Sequence, residues 1–166
     1  MKKIICSLIL STAFSALFAQ TPAKIHQNAI LVDTHGDILF NQIKSGIDIG
    51  KLQSTGNFDL VRAKQGGLDV QVFYIWSDET GGFDIANRQI DSLYSLIKRY
   101  PSKITLVRNA DELQKAVAAN KMAAMIGVEG GHMIENSLEK LEDLAKRGMI
   151  YLTLTWNNST PWSSSA

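Results

Sequence analysis

Residues Met122 to Val128 carry no polar side chain, and the run ends abruptly in Glu129-Gly130-Gly131-His132. An apolar run this short, with neither a helical nor an alternating period, reads as a strand buried on both faces, and such strands belong to parallel sheets covered by helices. The rest of the chain supplies the matching parts. Residues 29 to 34 are apolar and β-branched and form the first strand; Leu68 to Trp76 form the second, with Val70, Val72, Tyr74 and Trp76 on one side; Tyr151 to Trp156 form the fourth main strand. Ile104 to Val107 is a further short strand.

Helical signals fall between the strands. Phe83 to Tyr100 carries an apolar stripe of Ala86, Ile90, Leu93 and Ile97 and stops at Pro101. Asn109 with Glu112, and Asn136 with Glu139, resemble capping boxes that open helices to about Asn120 and to Gly148, the latter lined by Leu138, Leu141 and Leu144. Phe58 to Gln65 gives one or two helical turns closed by Gly66-Gly67, and residues 41 to 56 read as a connection with a short helix. Strands alternating with helices predict right-handed βαβ units and a parallel sheet. About four such units are half of an eight-stranded barrel, so the expectation is the amino-terminal half of a longer, closed fold.

Composition narrows the function classes. With 45% hydrophobic and 20% charged residues and a net charge of +1, this is an ordinary globular chain. Its basic residues are spread over helical faces rather than clustered with aromatics, so nothing favours nucleic acid. The amino terminus stands apart: Lys2 and Lys3 precede an apolar stretch from Ile4 to Phe18, followed by Ala19-Gln20-Thr21-Pro22. This reads as a signal peptide over residues 1–19, cleaved near Ala19, and implies a bacterial periplasmic or secreted protein with no membrane association beyond export. The only cysteine, Cys6, lies inside that segment, so thiolate metal ligands and disulfides are ruled out for the mature chain.

Two polar signals stand where apolar strands give out: Asp33-Thr34-His35-Gly36-Asp37 and Glu129-Gly130-Gly131-His132. In a parallel barrel the carboxyl ends of all strands open on one face, so both can meet there. His35 and Asp37 are two residues apart and would share one side of an extended chain. An imidazole and two carboxylates make a divalent-metal site. The blander alternatives are a hydrogen-bonded histidine at His35, a turn or helix N-cap at Asp37, and a buried salt bridge at Glu129.

The ordered series Ile126-Gly127-Val128-Glu129-Gly130-Gly131-His132, Ser137-Leu138, Arg147-Gly148, Tyr151-Leu152-Thr153-Leu154-Thr155 and Thr160-Pro161-Trp162 resembles the renal or membrane dipeptidase family, metallopeptidase family M19. Val32 to Asp37 is similar to that family's opening metal motif, and Gly66-Gly67 through Phe73 to its second strand. The resemblance implies a (β/α)8 TIM-barrel metallohydrolase, of which residues 20–166 would be the first half. It implies two zinc ions per full-length chain, His35 and Asp37 on one, Glu129 as the catalytic bridge between both, and a metal-bridging hydroxide that cleaves the peptide bond of dipeptides. It admits a homodimer. The histidines completing the second zinc site come from later strands in the family, so the second site would be incomplete here and residues 20–166 alone inactive. His132 has no ligand role to inherit, and a structural hydrogen bond is expected of it. The family's fourth strand ends in a substrate-contacting histidine where this chain has Trp156, which marks Trp156 as substrate-binding but unable to take up a proton. Two other readings fit the same residues: another amidohydrolase-type barrel enzyme, and a non-catalytic binding barrel.

Overall fold

The computed structural model describes residues 20–78 and 81–165; the signal-peptide reading of residues 1–19 lies outside them. Among the described residues no helix is long and apolar enough to cross a membrane. In chain order the elements are α1 (Pro22–Asn28), β1 (Leu31–Gly36), α2 (Ile38–Ser45), α3 (Leu60–Gln65), β2 (Leu68–Ile75), α4 (Gly82–Arg99), β3 (Ile104–Leu106), α5 (Ala110–Ala118), β4 (Met122–Val128), a 3₁₀ turn (Gly131–Ile134), α6 (Leu138–Lys146) and β5 (Met149–Leu152).

Every strand pair is parallel. β1 lies beside β2, β2 beside β4, and the other edge of β4 is shared by β3 at its amino end and β5 at its carboxyl end. The four main strands β1, β2, β4 and β5 therefore neighbour one another in chain order. A barrel is wound that way, whereas a doubly wound sheet reverses direction at a switch point.

Alternation along β2 and β4 divides the sheet into two faces. Phe73, Ile75, Ala124, Ile126 and Val128 pack against Ile90, Leu93 and Leu96 of α4 and Leu144 of α6 in the main core. On the opposite face Val70 and Ala123 are covered by Val107, Leu113 and Ala116, so α5 plugs the amino end of that face.

Three expectations need correction. The helix opened by residues 136 to 139 is capped by Ser137, whose Oγ accepts from Lys140 N; Asn136 adopts φ +59° and its side chain accepts from Trp162 Nε1 instead. Leu138 consequently falls outside the core, 74% exposed, and only Leu144 of the expected stripe is fully buried. The last strand is Met149–Leu152, not residues 151 to 156. Beyond Leu152 the ladder passes into the turn after β4: Thr153 N donates to Val128 O, the Thr153 hydroxyl accepts from Gly130 N, and Leu154 O accepts from Gly131 N.

Candidate metal centre

His35 is the penultimate residue of β1, Asp37 follows the strand, and Glu129 follows β4. The structure brings all three together. His35 Nε2 lies 3.4 Å from Asp37 Oδ1 and 3.7 Å from Glu129 Oε2, and one ligand atom from each residue falls within 4.8 Å of the others. A tetrahedral ion with bonds of about 2.0–2.1 Å keeps its ligand atoms roughly 3.3 to 3.4 Å apart, close to the two separations from His35.

The local route to this geometry differs from the simple i, i+2 expectation. Asp37 has left the extended conformation (φ −80°, ψ 37°) and occupies the N-cap position of α2, yet its carboxylate makes no capping bond. Its Oδ1 is buried without a hydrogen-bond partner among the described residues. An acidic N-cap side chain ordinarily accepts from the first helical turn; here it is turned toward the imidazole instead. Gly36 keeps its place on the opposite side, where an added Cβ would stand 2.7 Å from Gln71 Nε2.

Glu129 is not the salt bridge that a buried carboxylate ordinarily needs. Its side chain is 20% exposed, and its only ion-pair contact among the described residues is the His35 imidazole. Burial pushes its carboxyl above the usual range; His35 and His132 act against this, while the Asp37 carboxylate adds to it. Two carboxylates and an imidazole that lack a lysine or arginine are a donor set that a divalent cation would satisfy.

The turn behind Glu129 is built to hold it. Glu129 N still donates to Ile75 O, which continues the ladder with β2. Gly130 sits at φ +91°, and a Cβ there would fall 2.4 Å from the His132 ring, so the turn requires glycine for both conformation and space. His132 is not part of the trio. Its Nε2 donates to Ser77 O at 2.8 Å, the structural bond expected of it. His26, on α1, is exposed with Nε2 3.1 Å from Gly66 O, apart from the site.

Trp156 lies four residues beyond the end of β5, but it reaches the same mouth: its Cβ would stand 3.1 Å from a Cβ on Gly130. Its ring packs against Trp76 (centroids 5.2 Å apart), which packs against Phe40 (5.0 Å). Sequence reasoning passed over two residues beside the trio. Tyr74 stacks on His35, and Tyr151 meets Tyr74 edge-on. The alternation that puts Tyr74 on the same side of β2 as Val70 and Val72 was the available signal.

A parallel sheet wound in chain order, with a carboxylate-imidazole cluster at the carboxyl ends of its strands, is the arrangement of (β/α) barrels, which carry their functional residues on that face. The profile of the membrane dipeptidase family (peptidase family M19) matches residues 19–166, and the chain belongs to that family. Dipeptidase 3 of Mus musculus is 32% identical over 146 residues, and Dipeptidase 3 of Homo sapiens 34% over 149. Each alignment covers 82% of this chain but 29% of the relative, so the chain spans less than a third of their length. The fold also matches a crystal structure of a metallopeptidase from Rhodobacter sphaeroides liganded with a phosphinate mimic of the dipeptide L-Ala-D-Ala. The TM-score is 0.71 at 18% identity, over 77% of this chain and 46% of that one.

Proposed function

We propose that the intact protein is an exported, zinc-dependent dipeptidase whose metal centre is assembled around His35, Asp37 and Glu129. The observation that carries this reading is the convergence of those three side chains, from separate strand ends, to within 4.8 Å. Membership of the membrane dipeptidase family and the dipeptidase relatives support the substrate class.

His35 and Asp37 would hold one ion. Glu129 offers two oxygens, of which Oε2 faces His35, so it can serve the same ion and bridge to a second. When bound, the ions supply Lewis acidity and lower the pKa of water toward neutrality, the chemistry that amide hydrolysis requires. The chain's own contribution is to position these ligands on rigid strand ends. Gly130 and Gly131 let the turn that carries Glu129 pack closely against His132, Trp156 and Trp162, where a Cβ would clash. Trp156, with Trp76 and Phe40 behind it, would form an apolar wall for the substrate; indole offers surface and one N–H but no proton acceptor.

The test is hydrolysis of a dipeptide panel by the intact protein, with and without a chelator. Turnover that is lost on chelation and restored by zinc supports the reading. Full activity in metal-free Glu129→Gln would defeat it.

A further inference from the structure

The orientation of His35 poses a problem that the ligand trio does not solve. A metal-binding histidine ordinarily donates its second ring N–H to a carboxylate, carbonyl or water, which fixes the tautomer and the plane of the ring. Among the described residues the His35 imidazole has no such hydrogen bond; its recorded polar contacts are Asp37 and Glu129, both to Nε2. Histidine χ2 is broad, and the side chain is 46% exposed, so packing must supply the missing constraint.

That packing is present. The Tyr74 ring lies 3.7 Å from the imidazole, centroid to centroid, with 21° between the planes, and Tyr74 is itself only 8% exposed. Tyr151 meets Tyr74 at 5.8 Å and 63°, an edge-on contact. Tyr151 in turn rests on Gly127, its register partner across the β4–β5 pair. A Cβ at residue 127 would stand 2.6 and 2.7 Å from the Tyr151 Cζ and hydroxyl oxygen, so the ring can lie there only because residue 127 is glycine. Each of the four main strands thus contributes one part: His35 from β1, Tyr74 from β2, Gly127 from β4 and Tyr151 from β5.

The geometry points to Tyr74 as a positioning residue of the metal centre, holding the His35 imidazole plane by stacking where other sites use a hydrogen bond, with Tyr151 on Gly127 as its support. This rests on the reading of His35, Asp37 and Glu129 as metal ligands. Burial pushes the Tyr151 phenol above its usual value, and the neighbouring Tyr74 adds to it.

The role belongs to the ring face and not to the hydroxyl, which makes it separable. Zinc affinity of the intact protein is measured by competition with a chelating dye for the parent, Tyr74→Phe and Tyr74→Leu, alongside melting of each metal-free form. Tyr74→Phe should bind zinc as the parent does, and Tyr74→Leu should bind it about 10- to 100-fold more weakly, the cost typical of losing an orienting partner. A general loss of stability would lower the melting temperature without changing the affinity of the folded molecules. Independently of any variant, the carbon-bound ring protons of His35 in the metal-free parent should be shifted upfield by the Tyr74 face in a proton NMR spectrum. Parent-like zinc affinity in Tyr74→Leu, an equal loss in Tyr74→Phe, or unshifted His35 ring protons would each overturn the inference. A parent protein that binds no zinc at all would instead overturn the metal-site reading beneath it.

Discussion

Asp59 and Glu129 are both carboxylates set against the core, and the chain treats them in opposite ways. Asp59 is fully buried, and both of its oxygens are used. Oδ1 accepts from Val61 N and Arg62 N at the start of α3, and Oδ2 accepts from Arg62 Nε at 2.6 Å and from Gln53 N. Burial alone would raise its pKa, but these bonds to Arg62 and Gln53 outweigh it and hold the carboxyl below the usual value. Glu129 has no such partners, and burial raises it. A carboxylate with all its partners supplied by protein is holding the fold together; one left facing another carboxylate and an imidazole is free to serve a ligand, as the proposed metal centre requires.

The sharpest way to break this comparison is to neutralise each group in turn. Glu129→Gln should weaken zinc binding by at least roughly 100-fold, since changes outside the ligand shell alone cost 10- to 100-fold. The metal-free protein should melt no lower than the parent, because no lysine, arginine or hydrogen-bond partner of the side chain among the described residues is lost; a clear drop in its melting temperature would show Glu129 to be structural after all. Asp59→Ala should do the reverse. It should cost roughly 1–3 kcal/mol in denaturant unfolding, from a lost N-cap and lost charge-assisted bonds, with zinc affinity unchanged.

The pH dependence of stability sharpens the same contrast. The folded Asp59 carboxyl lies below its unfolded value of about 3.9, so the unfolded chain takes up the proton first. Its stabilisation is whole above that value and is lost as pH falls through the folded pKa. Asp59→Ala should therefore flatten the acid limb of a stability-pH curve, and a limb as steep as the parent's would contradict the assignment. The smallest effect is expected at His132, whose bond to Ser77 O is a single half-buried hydrogen bond. His132→Gln should cost about 1 kcal/mol and leave zinc affinity alone; a loss of metal would make His132 part of the site.

Much of this architecture was legible in the sequence because it depends on local patterns. The apolar run of β4 matches Met122–Val128 residue for residue, and the stripe of α4 places Ile90 and Leu93 in the core. The meeting of His35, Asp37 and Glu129 was legible because each stands at or just past the end of a strand, and a parallel sheet brings such ends together. What the sequence did not show are effects that need a partner in space. Asn136 and Ser137 are both good N-cap residues, and only the positive φ of Asn136 decides between them. The end of β5 at Leu152 reflects Thr153 turning its hydroxyl to Gly130 N, a contact 23 residues apart. Tyr74 and Tyr151 read as ordinary strand residues until Gly127 is seen beneath Tyr151.

The most direct test of the account is anomalous diffraction at the zinc edge from crystals of the intact protein grown with zinc. The account predicts a peak about 2.0–2.2 Å from His35 Nε2 and from one carboxylate oxygen each of Asp37 and Glu129, absent in Glu129→Gln. A clear map with no peak at these three atoms would contradict it.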